Sequence, residues 1–417
     1  MRRLHAPTVY YGLELVLSMP SYVFVAVLLV RDLHLSPLQL VLMGTVMEAA
    51  VFVSEVPTGI LADAYSRRAS IVVSLLVQGV AIAIVGVAPT AGVAIAAWAL
   101  WGFGYTFMSG AYEAWITDEV GAENVGPVFL RGTRLSYAGA LVGLGAQVAI
   151  ALYSLRAAVV AAGAVTVLAG LVSSVVMPET GFRRRPREER GSALRELSGA
   201  AVTSGRYVRA QPLLLLLLGI TFFAGMSSEA FDRLWEAHFI RDVGLPAVAS
   251  LDSVVWFGLF GAAALVAGLV ASTYLIHRFE RAASPTLVRT LVVLTALLAV
   301  AQIVFGLAGG LALAVGAFVV IRLARSLAYP LYMTWLNQQI TDSSVRATVI
   351  SIAGQADAIG QAGGGPILGG LGNALGIRAA LLAGGLVLTP ALALFGRALR
   401  HGGSEPVLDE LPQPAAV

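Results

Sequence analysis

Carboxylates and guanidinium groups recur inside the apolar stretches of this chain, at spacings that let them share one face of a helix. Glu229, Asp232, Arg233 and Glu236 follow an i, i+3, i+4, i+7 pattern, which stacks all four on one stripe. One arginine cannot neutralise three acids, so at least one of them can hold a proton or meet a cation. Such a stripe can instead close an outer gate or line a solvated mouth. Arg322 and Arg325 are i, i+3 neighbours and share a face. Asp357 lies at the same depth on the next apolar stretch, so the three suggest an ion-paired centre facing a cavity. Two arginines against one acid leave a positive surplus that can attract an anionic group. The bland alternative is a static salt bridge between helices. Glu14 and Glu48 stand singly in apolar surroundings, where a carboxyl group can take up and release a proton; Glu14 has Tyr10 and Tyr11 as possible partners.

The elements that must position these groups are transmembrane helices. The chain has 417 residues, of which 58% are hydrophobic and 12% charged, against about 25% charged in a soluble domain. Apolar runs of about 20 residues recur from end to end, the length a bilayer core of roughly 30 Å requires of a helix. They are long and continuous rather than short and alternating, which excludes a membrane β-barrel. We read twelve spans at 8–30, 38–62, 69–88, 91–117, 127–153, 157–177, 212–240, 248–276, 287–308, 311–339, 346–372 and 377–399. The first follows Arg2 and Arg3 and mimics a signal peptide, but it is long enough to span and lacks a small-residue cleavage site. An ionisable side chain at bilayer depth is costly, so each such group is a functional candidate.

Cysteine is absent, which removes disulfides and thiolate metal sites, and the five histidines show no ligand spacing. We expect no metal. All 27 basic residues are arginine, a bias that fits a bacterial genome rich in G+C. The net charge of +3 is spread over loops between spans and is no nucleic-acid signal. With the N-terminus placed inside, inner segments carry twenty arginines and outer ones four, so both termini are expected in the cytoplasm. The layout is an N-terminal six-helix bundle (1–178), a basic cytoplasmic linker (179–211), a C-terminal six-helix bundle (212–400) and a disordered tail (401–417). An offset of 220 residues aligns Tyr112 with Tyr332 and Trp115 with Trp335, as a duplication of halves requires.

Gly59 to Arg68, G-I-L-A-D-A-Y-S-R-R, separates the second and third spans. It resembles the signature loop of the major facilitator superfamily, with Gly59, Leu61, Ala62, Asp63, Arg67 and Arg68 matching and Ala64 and Ser66 departing. The segment G-G-G-P-I-L-G-G from Gly363 resembles an antiporter motif, but that motif belongs on helix five, where this chain has Gly139, Gly143 and Gly145 without proline. Close helix packing and a kink at Pro366 explain the segment equally well. The resemblance implies that Asp63 meets the start of helix eleven near Ser343 to Arg346, as part of an inner charge network of Glu55, Asp63, Arg67, Arg68, Glu113, Asp118, Glu119, Arg131 and Arg134. It also favours Glu14 as a coupling acid.

The expectation is an all-α integral membrane protein with twelve transmembrane helices in two pseudo-symmetric bundles, the fold of that superfamily. Its expected function is secondary active transport by alternating access, drug-efflux-like: proton-coupled export of small amphipathic or cationic compounds. The alternative is a proton symporter importing a small metabolite, anions included. No enzyme constellation stands out. A chain without lysine cannot carry Gly-x-x-x-x-Gly-Lys, so energy is expected from an ion gradient, most simply a proton gradient, and no cofactor is expected. Partners are the lipid bilayer, a small-molecule substrate and protons, but no nucleic acid. A monomer in a bacterial inner membrane is expected.

Overall fold

The computed structural model of this chain describes residues 5–20, 23–182, 205–246, 253–274, 284–340 and 345–401. Most of the expected linker, the expected tail and Ser343 lie outside the described residues. Every element among the described residues is helical: α1 (Ala6–Leu17), α2 (Val23–Arg31), α3 (Pro37–Ala64), α4 (Arg67–Val87), α5 (Ala91–Thr106), α6 (Ala111–Val120), α7 (Val125–Ala151) and α8 (Leu155–Val176) in the first half. The second half holds α9 (Pro212–His238, ending in a π turn Phe239–Val243), α10 (Ser253–Tyr274), α11 (Ser284–Leu307), α12 (Leu311–Gln339), α13 (Arg346–Leu375), α14 (Ile377–Leu386) and α15 (Leu388–His401). Among the described residues, nine segments are long and apolar enough to cross a membrane.

Three expected spans are broken in two. The first is interrupted after Leu17, just ahead of Pro20, since a proline pushes the preceding residue out of the helical region. The fourth breaks at a turn ending in Gly110, whose φ of 72° only glycine adopts freely. The twelfth breaks between Leu386 and Leu388; Pro390 has no N–H for the carbonyl one turn earlier. Polar caps set other boundaries. Ser36 and Gln39 form a capping box on α3, and Ser66, Thr90 and Ser154 each accept an N–H in the first turn of α4, α5 and α8.

The halves are packed mainly through α4 on α8 in the first and α9 on α13 in the second. They meet through α3 on α13, with smaller contacts of α7 on α10 and of α9 on α2 and α3. The apolar core is divided in an informative way. One cluster draws on both halves: Phe24, Leu28, Leu35, Val41, Trp98 and Leu144 pack with Phe231, Trp235, Phe239, Phe257, Phe305 and Phe318. A second contains only second-half residues, among them Leu217, Leu291, Trp335 and Phe395. A third contains only first-half residues, among them Tyr10, Leu13, Ile71 and Trp115. Among the described residues, the apolar core is therefore shared between the halves at the end bearing Arg31 and divided at the end bearing Asp63. Each broken span has one piece in the shared cluster (α2, α5, α14) and the other in a split one (α1, α6, α15).

Hydrogen bonds reinforce the fused end. Arg241 donates to the carbonyls of Val30, at 3.3 Å, and Leu35, at 2.7 Å. The Leu38 N–H donates to Asn373 Oδ1 at 3.0 Å, and Arg31 reaches Ser253 Oγ at 3.4 Å. At the π turn, His238 is clamped between Asp242 and the Phe305 carbonyl, 2.8 Å from each.

Glycines bring the helices close. A Cβ on Gly139 would stand 2.0 Å from the Leu15 carbonyl oxygen, and one on Gly143 would stand 2.3 Å from Met19 Cα. The glycines of α13 do the same: Gly360 and Gly364 abut Phe222 and Met226 of α9, and Gly365 abuts Thr45 of α3. The antiporter-like segment thus has a packing role here. Gly143→Val should cost about 1–3 kcal/mol by overpacking and lower the Tm of the purified protein. Gly145→Val, whose added Cβ meets nothing within 4 Å, should leave the Tm near that of the parent.

Candidate functional site

Between the halves lie three neighbouring compartments whose linings share residues. One, about 230 Å³, is lined by Met43, Trp98, Asp232, Trp235, Glu236, Phe318 and Arg322. A middle compartment of about 610 Å³ is lined by Ser18, Tyr137, Leu144, Arg322, Arg325 and Ser326, and shares Gly261, Ala264 and Arg322 with the first. The third, about 270 Å³, is lined by Glu14, Thr133 and Ser136, and shares Tyr137, Ala140 and Leu265 with the second. Both halves contribute to every compartment.

The stripe on α9 forms as expected, and its charges are divided. Arg233 Nε donates to Glu229 Oε1 at 3.2 Å one turn earlier, and the Glu229 side chain is only 1% exposed. Gly44 of α3 makes room for this pair: a Cβ there would stand 2.1 Å from Glu229 Oε1 and 2.3 Å from Arg233 Nε. Asp232 is held by Arg325 of α12, whose guanidinium also lies 5.1 Å from the centroid of the Phe231 ring. The second cation that the stripe lacks in sequence therefore arrives from another helix. Glu236 is buried, and its Oε2 has no hydrogen-bond partner among the described residues. Arg322 projects into two compartments, open to them, and makes no ion pair among the described residues.

Of the expected centre, Arg322 and Arg325 share α12, and Asp357 lies within electrostatic reach of Arg325 but makes no ion pair with either arginine among the described residues. The helix carrying Asp357, α13, packs on α9 and α3, whereas α12 packs on α11 and α10. Succession in the chain is not adjacency in the bundle. Asp357 accepts instead from Gln361 Nε2 at 2.7 Å, and Gly225 of α9 lies against its backbone. Glu48, partly buried on α3, lies within electrostatic reach of Arg233, Asp357 and Glu55. Glu14 is within hydrogen-bonding reach of Tyr10, Tyr112 and Ser136, three hydroxyl partners and no cation among the described residues.

Among the described residues, the inner charge residues fall into separate groups rather than one network. Arg67 joins Asp118 of α6 and, at 3.4 Å, Asp63. Asp63 is 51% exposed, and its described partner is this arginine rather than the start of α13, where Arg346 is exposed. The Arg68 guanidinium donates to the Ser174 carbonyl, while its N–H and the Ser66 hydroxyl donate to Glu179. Gly59 has open space around it, and Leu61 is exposed. Glu119 accepts from Thr180 and Gly181. Glu55 accepts from Ser109 at 3.2 Å and, across the halves, from Gln355 at 3.5 Å. Arg131 stands 5.6 Å from the centre of the Tyr11 ring, and Glu113 and Arg134 are exposed. Sequence reasoning missed Glu179, an acid at the N-terminus of α4 supplied from beyond α8. It also missed Arg241 and His238 at the fused end, which no local pattern marks.

The buried pair on α9 yields a direct test. Arg233→Met should leave Glu229 without its cation and cost about 3–5 kcal/mol, read as a lower Tm of the purified protein. The double variant Glu229→Gln/Arg233→Met should recover most of that loss.

The sequence profile of the Major Facilitator Superfamily matches residues 13–364. An uncharacterized MFS-type transporter of Bacillus subtilis (strain 168), YxaM, is 32% identical over 98 residues. That match covers 24% of this chain and 25% of the relative, so it spans about a quarter of that protein's length. Among solved structures, the nucleoside transporter NupG superposes with a TM-score of 0.74 at 10% identity, covering 96% of this chain and 100% of that one. A bacterial homologue of the human lysosomal transporter Spinster, inward-facing and occupied, gives 0.67 at 15% identity, covering 95% and 96%. A POT family transporter in complex with a thioalcohol-conjugated peptide gives 0.70 at 12%, covering 95% and 96%. At such identities the likeness is one of fold. With the profile spanning most of the chain and the apolar helices that cross from end to end, the chain belongs to the major facilitator superfamily, as a multi-pass membrane protein of the transporter class rather than an enzyme.

Proposed function

We propose that this protein is a secondary active transporter that works by alternating access, driven by protons and selective for small organic compounds bearing an anionic group. The observation that carries the reading is the division of the core: halves fused through one apolar cluster at the Arg31 end, separate at the Asp63 end, with a charged cavity between them. Alternating access exchanges which end is fused. The arginine bias supports the split end as the cytoplasmic one, with both termini inside a bacterial cytoplasmic membrane. The chain then stands inward-open and acts as a monomer, each copy holding its own cavity.

The substrate class follows from charge. In sequence, the excess of acids on α9 favoured a cation. With Arg325 on Asp232 and Arg233 on Glu229, the cation left open to the middle compartment among the described residues is Arg322, which suits a carboxylate. Trp98, Trp235 and Phe318 supply apolar surface beside it. A second reading, export of amphipathic cations, draws on Glu14, whose partners are hydroxyls.

Because the chain has no cysteine, access can be measured with single introduced thiols. Ser326→Cys, in the middle compartment, should react with a membrane-impermeant maleimide in inside-out vesicles and little in right-side-out ones. Adding Arg241→Ala, which removes the two donors to Val30 and Leu35, should raise labelling from the outer side several-fold. Equal labelling from both sides in the parent would contradict an inward-open state. In proteoliposomes, an inward proton gradient should drive accumulation of labelled aromatic carboxylates such as benzoate, a protonophore should abolish it, and Arg322→Ala should remove it. Protonophore-sensitive exclusion of a cationic dye from cells, lost in Glu14→Gln, would instead favour the second reading.

A further inference from the structure

His238, at the end of α9, is fully buried, and both of its ring nitrogens face oxygen. Nδ1 lies 2.8 Å from Asp242 Oδ2, and Nε2 lies 2.8 Å from the Phe305 carbonyl oxygen of α11. The Phe305 ring stands edge-on to the imidazole, with centroids 4.8 Å apart. A carbonyl and an ionised carboxylate can only accept, whereas a neutral imidazole donates from one nitrogen and accepts at the other. A neutral ring beside ionised Asp242 would therefore press a nitrogen lone pair against an oxygen lone pair. One added proton removes the conflict. An imidazole is a stronger base than a carboxylate, so the proton rests on the ring, which then donates to both oxygens. Asp242 is 24% exposed and gives the site a route to water. The other charged groups around it are basic or turned away. Arg241 lies within electrostatic reach of Asp242, and Arg378 of α14 donates to the Asp242 carbonyl at 3.3 Å. On α2, Arg31 pairs with Asp32 at 3.1 Å, and His34 in the loop beyond is exposed. Glu236, two residues before His238, lies on the opposite side of α9, in the compartment wall. The neighbouring stretches 253–269 of α10, 299–307 of α11 and 311–321 of α12 carry no titratable group.

We propose that His238, Asp242 and the Phe305 carbonyl form a proton-binding site at the fused end, and that the bound proton latches this end shut. With the proton in place, the π turn is tied to α11 through the ring. The same turn carries Arg241, which holds the Val30 and Leu35 carbonyls of the first half. When the proton leaves to water through Asp242, the remaining N–H stays on the carboxylate, the stronger acceptor, and Nε2 turns away from the Phe305 carbonyl. The turn then loses its tie to α11, and Arg241 loses its fixed position against the first half. Alkaline conditions on that side therefore loosen the fused end, and acid conditions hold it. The proton site stands on the hydrogen-bond geometry alone; its action on access rests on the reading of the fused end as the outer one.

The test needs no substrate. The chain has five histidines, so the variant His5→Gln/His34→Gln/His277→Gln/His401→Gln leaves His238 alone and its site intact. Nitrogen NMR of this full-length protein in lipid nanodiscs, labelled at histidine, should give two protonated ring nitrogens at neutral pH and lose one on alkaline titration. Adding Asp242→Asn, which keeps the shape but removes the charge, should move that loss to a pH lower by about 1–3 units. One unprotonated ring nitrogen at neutral pH, or a loss at the same pH with Asp242→Asn, would overturn the proton site. Access is then read with the Ser326→Cys protein, as the ratio of maleimide labelling in right-side-out to inside-out vesicles at each pH. In the parent the ratio should rise several-fold as the outer pH passes the point of proton loss. With His238→Gln it should be raised already at neutral pH and stay flat. A parent ratio that does not change across that point would overturn the latch. If the spectra hold while parent vesicles label equally from both sides at neutral pH, the proton site stands, and the inward-open reading falls together with the latch.

Discussion

The architecture depends on one apolar cluster that belongs to neither half alone. Its aromatic centre, where Trp235 meets Phe257 and Phe318 and Phe239 meets Phe260 and Phe305, glues second-half helices to α2, α3 and α5. In a bilayer the hydrophobic effect does not favour helix association over lipid contact, so adhesion there comes from packing and hydrogen bonds. The tight glycine approaches of α13 to α3 and the Arg241, Leu38 and Arg31 contacts serve that purpose at the fused end. Nothing equivalent joins the two separate clusters at the other end among the described residues, apart from the long Gln355–Glu55 contact. The cavity exists because adhesion is concentrated at one end.

Part of the charge in that cavity is compensated locally: Asp232 by Arg325 and Arg233 by Glu229. Two arginine–carboxylate pairs tie α9 to itself and to α12. A buried pair contributes little net stability but makes removal of either partner expensive. Beside these pairs, Glu14, Glu236 and Arg322 make no ion pair among the described residues. A site where every charge is matched has nothing left to offer a ligand.

Much of this was legible in the sequence, and the rest was hidden for physical reasons. Span positions followed from apolar run length, and the α9 stripe from helical periodicity. Which helices touch was not legible: Asp357 follows Arg325 by a single span, yet α13 packs on α9 rather than α12. Ion-pair partners between helices depend on bundle order, which no local pattern encodes. The decamer located its charges correctly at a helix junction. The partners Asp118 and Glu179, supplied from distant turns, were beyond any spacing argument. The helix breaks were only partly readable: Pro20 and Pro390 break their spans, while Pro57, Pro330 and Pro366 lie inside continuous helices.

Those breaks have a mechanical consequence. A continuous helix transmits torque along its length more stiffly than one interrupted by a turn. Spans one, four and twelve each change clusters at their break, so each is jointed where the fused region gives way to the split one. The pieces beyond the joints can swing with their own half while the pieces at the fused end keep their contacts. The first joint also brings Ser18 and Pro20 to the wall of the largest compartment, which is where unwound backbone is tolerated at bilayer depth. A rocking motion of the halves is thereby divided into two lever arms with separate pivots, and the cavity wall is itself part of the bearing.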